Sequence, residues 1–213
     1  MSLPIVVLIS GSGSNLQALI DQSLSGDLDI EIKAVISNKA DAYGLTRAAQ
    51  AGIPTHHLNH KEFDSRESFD AALQACIDEH QPKLVVLAGF MRILSEGFTR
   101  HYQGRMLNIH PSLLPKYKGL NTHQRAIDAG EAEHGVSVHF VSAELDAGAV
   151  IIQAKTQIES NESADTLAQK VHQLEHIIYP LAVKWFSESR LVEQDNLAIL
   201  DGKPLAETGF AYN

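Results

Sequence analysis

An asparagine and a histidine stand two residues apart at Asn108 and His110, at the end of the apolar run "RMLNIH" that breaks on Pro111. In an extended strand, residues i and i+2 face the same side, so the amide and the imidazole project together. Both can donate hydrogen bonds to an oxyanion that develops during acyl transfer. The competing reading is structural, with the two side chains merely satisfying the loop over residues 111–118, and an isolated histidine more often does that. A carboxylate able to hold the imidazole as its charged form is offered by Asp146 in "SAELDAGAVI", with Glu144 as its rival. As a turn residue beside Gly148, Asp146 would need no such role.

The second group with chemical potential is the turn "SGSGSNLQ" over residues 10–17. Glycines let a backbone approach an anion closely, and the N-terminus of the helix that follows supplies unpaired N–H groups and positive dipole, so a phosphate is the ligand that suits it. It is not a dinucleotide fingerprint, because Leu16 stands where the third glycine belongs, and not a P-loop, because no Gly-Lys-Ser/Thr follows. The plain alternative is a tight turn in which Ser14 or Asn15 caps the helix. No Gly-x-Ser-x-Gly elbow is present, and Cys76 lies in the apolar stretch "FDAALQACIDEH", where packing suits it better than nucleophilic attack. Asn, His and Asp without a nucleophile point to direct transfer between two bound substrates.

The elements that must position these groups read as alternating strand and helix. "PIVVLIS" is a β-branched run of the kind buried on both faces of a parallel sheet, and "NLQALIDQSL" places Leu16, Leu19, Ile20 and Leu24 on one helical face. Strands follow around residues 32–36 and 55–58, in "KLVVLAGF" and in "RMLNIH", with helices around residues 45–51 and in "FDAALQACIDEH" between them. This predicts an α/β fold, a single-domain, open, mostly parallel twisted sheet with helices on both faces and a Rossmann-like N-terminal half. The polar pair then falls at the carboxyl end of a strand, where ligands of such sheets bind. "GVSVHFV" and "AVIIQAKTQI" are joined by too few residues for a helical crossover, so an antiparallel pair is expected at the sheet edge in the C-terminal half. A long helix over about residues 163–186 contains Pro180, which should kink it, and Asp201-Gly202 signals a hairpin in the tail.

Composition sets the outer limits. A chain of 213 residues, 44% hydrophobic, can build one substantial core. Seventeen Lys+Arg against 26 Asp+Glu give a formal charge of -9, which disfavours extended nucleic-acid binding. The single cysteine excludes an internal disulfide, no Cys/His cluster has zinc-ligand spacing, and the opening apolar run is too short for a signal peptide or a bilayer span. A cytoplasmic protein with no membrane or metal partner is expected.

The segments "VVLISGSGSNLQALID", "VISNKADAYGL", "VVLAGFMRILS", "LNIHPSLLPKYKG", "GVSVHFVSAELDAGAVIIQ" and "LEHIIYPLAV", in this order, resemble the phosphoribosylglycinamide formyltransferase family. The resemblance implies one formyltransferase domain over 1–213, with a phosphate-binding half at 1–100 and a catalytic and folate-binding half at 101–213. It implies transfer of a formyl group from 10-formyltetrahydrofolate, as cosubstrate, to the amine of a phosphoribosylglycinamide in de novo purine synthesis. Position by position, it implies Asn108, His110 and Asp146 as the catalytic trio and Gly13, Ser14, Asn15 and Glu175 at the phosphoribosylglycinamide. It likewise implies Arg66, Met91, Arg92, Ile93, Leu94, Asn108, Ser142, Ala143, Glu144, Leu145 and Asp146 at the folate. From its position alone, Arg92 reads rather as an ordinary surface charge at a helix start. Asn121 and Ala149 depart from the family pattern, where histidine and proline are common. Small-molecule partners are implied, with a monomer or weak homodimer as the assembly. A formyltetrahydrofolate deformylase, a methionyl-tRNA formyltransferase and a non-catalytic phosphometabolite sensor are the rivals. The first two carry extra domains for which this chain has no room, and the sensor has no need of the trio.

Overall fold

The structure, a computed structural model, describes residues 2–212. The chain divides into two units, Met1–Asn108 and Ile109–Asn213.

In the first unit, β1 (Leu3–Ile9), α1 (Ser14–Ser25), β2 (Ile30–Ser37), α2 (Tyr43–Gln50), β3 (Thr55–His57), α3 (Arg66–Asp78), β4 (Leu84–Leu87) and α4 (Glu96–His101) alternate before β5 (Met106–His110). The hydrogen-bonded order is β5-β4-β1-β2-β3, and the pairs are parallel. The chain winds outward from β1 in one direction and then from β4 in the other. The switch point therefore lies between β1 and β4, and the crevice beyond their carboxyl ends is the ligand position of such sheets. Ile5, Val6, Val7, Leu8 and Ile9 are fully buried, as a strand covered on both faces requires.

The cap of α1 is neither Ser14 nor Asn15, the two residues the plain-turn alternative offered. It is Gly13, at φ 72, with no side-chain cap hydrogen bond, and Ser14 is the first helical residue. The reason is steric: a Cβ on Gly13 would lie 2.6 Å from the Cα of Gly44, and one on Gly44 would lie 2.4 Å from Cδ1 of Ile9. The two glycines bring α2 against the turn at a distance no side chain allows.

In the second unit, α5 (Thr122–Asp128), β6 (Glu133–Phe140), β7 (Val150–Gln157) and α6 (Ala164–Ser187) are followed by β8 (Leu191–Gln194), β9 (Leu197–Leu200), β10 (Lys203–Pro204) and β11 (Phe210–Tyr212). The expected antiparallel pair is β6 and β7. It does not end the sheet, because β11 adds in parallel to β7. The backbone of the tail can lie that close because Gly209 carries no Cβ, which would sit 2.6 Å from the carbonyl carbon of Ile151. The Asp201-Gly202 hairpin joins β9 and β10. A second hairpin, β8 to β9, turns on Asp195 and Asn196 at φ 52 and 59, the left-handed pair a two-residue turn needs. Helix α6 is capped by the Ser163 hydroxyl, which accepts from the Thr166 N–H, and it runs on through Pro180. Leu167, Val171, Ile178 and Ala182 of α6 are fully buried at steps of four, seven and four, the stripe that packs it on β6 and β7.

Candidate active site

At the end of β1 the chain passes through Ser10, Gly11, Ser12 and Gly13 into α1, whose first turn carries Ser14 and Asn15 and no acidic residue. The turn is held from α2: the Gly44 N–H donates to the Gly11 carbonyl at 3.1 Å, and Arg47 donates through Nε to the Ser12 carbonyl at 2.9 Å. Arg47 also donates to Gln17 Oε1 at 3.1 Å and stacks over Tyr43. A cation thus stands beside the turn proposed for phosphate, which no local pattern around residue 47 announces.

Met91, Arg92, Ile93 and Leu94 form an irregular segment between β4 and α4, with Met91 and Ile93 exposed and Leu94 buried. Arg92 is not a helix-start charge, since α4 begins only at Glu96, and its guanidinium lies 5.8 Å from the centre of the Phe69 ring. Arg66 is the first residue of α3, exposed, just after the Ser65 cap and its reciprocal bond with Ser68. Asn108 is half-buried on β5, paired in register with Leu87 of β4.

In the second unit, His110 is buried at the end of β5. Its Nε2 is 2.9 Å from the Tyr117 carbonyl, and its Nδ1 is 3.4 Å from Asp146 Oδ2. A carbonyl only accepts, so Nε2 carries a proton; donation toward both oxygens requires the doubly protonated ring. The carboxylate of Asp146 is itself shielded, its side chain 7% exposed, and its Oδ2 accepts the Gly119 N–H at 2.9 Å. Asp146 sits at φ 49, a left-handed conformation that aspartate tolerates. The rival Glu144 pairs instead with Lys118 at 2.8 Å and is exposed. Ser142 donates to the Glu144 carbonyl across the same loop, Ala143 and Leu145 are exposed, and a Cβ on Gly148 would lie 1.8 Å from the Phe140 carbonyl, so the loop's return is tightly packed.

The loop that presents Tyr117 is itself braced. Ser137 donates to the Ser112 carbonyl and accepts from the Leu114 N–H, the Tyr117 hydroxyl donates to Glu131 at 2.8 Å, and Thr122 donates to the Pro111 carbonyl. Asn121 has φ 56 and stands immediately before α5, a conformation asparagine adopts readily. Glu175 is buried at mid-length in α6.

Of the five further histidines in this unit, His123, His134 and His139 lie on α5 and β6. His139 donates from Nδ1 to the Phe140 carbonyl at 2.8 Å, and its Nε2 is 3.8 Å from Asp146 Oδ1, too far for a hydrogen bond. Burial pushes its pKa down, and this outweighs the attraction of Asp146, so the neutral ring is favoured. His123 and His134 meet Nδ1 to Nε2 at 3.2 Å. Burial, and next the neighbouring His134, push His123 down to about 4 from the usual 6.5, and burial lowers His134 as well. Between those limits the unfolded chain takes up a proton that the folded chain refuses, so stability falls as pH falls through that window and levels off below about 4. Calorimetric melting from pH 7 to 4 should show the midpoint dropping, with a shallower drop in His123→Gln.

The α/β sheet described above is that of a group-transferring enzyme family: the family model described as formyl transferase matches residues 3–183, and the chain belongs to that family. Transfer of one-carbon groups is the chemistry of that family. The chain is 56% identical over 207 residues to the phosphoribosylglycinamide formyltransferase of Escherichia coli strain K12, covering 97% of this chain and 98% of the relative. It is 52% identical over 207 residues to the protein of the same description from Haemophilus influenzae, covering 97% of this chain and 98% of the relative. The solved phosphoribosylglycinamide formyltransferase of Coxiella burnetii, in complex with CHES, superposes with a TM-score of 0.96 at 59% identity over the full length of both chains.

Proposed function

We propose that the protein transfers the formyl group of 10-formyltetrahydrofolate to the amine of phosphoribosylglycinamide, a step of de novo purine synthesis. The observation that carries this reading is the buried His110–Asp146 contact, Nδ1 to Oδ2 3.4 Å, in a chain of this family. In this reading both units form one formyltransferase domain. Gly13, Ser14 and Asn15, with Glu175, hold the phosphoribosyl end, and Arg47 adds positive charge beside the turn. Arg66, residues 91–94 and residues 142–146 hold the folate.

The amine nitrogen attacks the formyl carbon and forms the new C–N bond. The oxyanion of the tetrahedral intermediate takes hydrogen bonds from the Asn108 amide and from protonated His110, whose charge Asp146 supports. To serve that oxyanion the Nε2 proton has to leave the Tyr117 carbonyl, which accepts it at 2.9 Å before substrate binds. Collapse breaks the bond to N10 of the folate, and the proton released by the amine ends on N10, giving tetrahydrofolate. No helix among the described residues is long and apolar enough to cross a membrane. A cytoplasmic monomer or weak homodimer with small-molecule partners completes the reading.

The test follows folate product by absorbance with and without phosphoribosylglycinamide. Turnover should require the acceptor. Equal turnover without it would make the protein a deformylase, and tight binding without turnover would make it a sensor; either overturns the reading.

A further inference from the structure

The irregular segment after β4 is pinned at both ends by buried side chains. At its start the Met91 N–H donates to the Ser10 hydroxyl at 2.8 Å, and that hydroxyl donates to Asn38 Oδ1 at 2.5 Å. At its end the Ser95 N–H donates to Asp70 Oδ2 at 2.5 Å, while the Ser95 hydroxyl caps α4 by accepting from the Phe98 N–H. Ser10, Asn38 and Asp70 are 4%, 4% and 2% exposed. Between these anchors Met91 and Ile93 face solvent, at 61% and 52%. Leu94 is buried and Arg92 lies over the Phe69 ring, so the segment has some packing of its own, and the hydrogen bonds at its two ends fix where it starts and where it turns into α4.

Asp70 is a costly way to make one such bond. Its Oδ1 is buried and has no hydrogen-bond partner among the described residues. A buried charge with one oxygen unsatisfied is a stability cost that a neutral residue would avoid. What Asp70 supplies in return is a fixed acceptor at the point where the segment turns into α4. We infer that Asp70 is a positioning residue for the donor substrate: with Ser10 at the other end, it holds residues 91–95 in the conformation that receives the formyl-folate. This inference rests on the assignment of residues 91–94 to the folate.

The test compares Asp70→Ala with Asp70→Asn, which keeps an oxygen for the Ser95 N–H. Asp70→Ala should raise KM for 10-formyltetrahydrofolate at least fivefold and leave kcat and KM for phosphoribosylglycinamide within twofold. Asp70→Asn should restore KM to within twofold, with a melting temperature no lower than that of the parent. Should Asp70→Ala fail to fold, Ser95→Pro removes the same hydrogen bond from the donor side, since Ser95 already has φ -72. Ser95→Ala, which loses the cap but keeps the N–H, is its control, and only the proline variant should raise KM. Constants for both substrates moving together, or neither moving, would overturn the inference. The Kd for tetrahydrofolate, read by calorimetry on the same variants, separates the two claims. If the parent binds tetrahydrofolate but transfers no formyl group, the proposed reaction falls and the Kd comparison decides the role of Asp70. If the parent binds no folate, both fall.

Discussion

Purified His110→Ala should turn over at least ~10²–10³-fold more slowly than the parent protein, the usual consequence of losing one preorganised donor to an oxyanion. The loss should appear in kcat rather than in KM for either substrate, because the bond in question strengthens only as the carbonyl oxygen becomes an anion. Asn108→Ala should behave similarly. The control is the fold: His110 is buried against the Tyr117 carbonyl and Asp146, so a circular dichroism spectrum like the parent's is expected with a lowered melting temperature, and the assay is run well below it. A variant that folds normally and keeps near-full activity would remove His110 from the reaction.

The second large effect belongs to Asp146→Asn, with kcat expected to fall on the order of 10²-fold. Asparagine suits this position for two reasons. It tolerates the left-handed backbone seen at φ 49, and its side-chain oxygen can still accept the Gly119 N–H. Backbone and loop are thereby preserved and the charge alone is removed. Asp146→Ala would confuse that loss with strain and an unpaired N–H. If Asp146→Asn keeps parental kcat, the carboxylate serves the loop rather than the imidazole. Because Asp146 also raises the pKa of His139 against the stronger effect of burial, the same variant should leave His139 even more firmly neutral.

What sequence could reveal here followed the range of its signals. The alternation of β-branched runs with helical stripes is local, and it yields the mostly parallel sheet with its helices together with the neighbouring Asn108 and His110, but not the order of the strands. The Asp201-Gly202 hairpin is equally local. Contacts made across the fold have no such trace. Arg47 meets the Ser12 carbonyl from 35 positions away, Asp70 meets Ser95 from 25, and Met91 meets Ser10 from 81. Strand β11 escaped notice because three residues, Phe210, Ala211 and Tyr212, show no alternation to read. Ser14 and Asn15, offered as caps of α1 in the plain-turn alternative, are good capping residues by type, while the choice of Gly13 is made by Gly44, thirty-one positions later in the chain. The choice between Asp146 and Glu144 likewise depended on how β6 turns into β7.

The back-to-back glycines at 13 and 44 also bear on how this sequence can drift. A Cβ on Gly13 meets the Cα of Gly44 at 2.6 Å, whereas one on Gly44 meets first the Ile9 side chain at 2.4 Å and then the Cα of Gly13 at 3.1 Å. A substitution at Gly13 is therefore harmful for a reason located at Gly44, in backbone that no second side-chain change relieves, while one at Gly44 is opposed mainly by Ile9. In a saturation-mutagenesis library selected for growth, positions 13 and 44 should both be intolerant, and double variants should recover nothing that the singles lost.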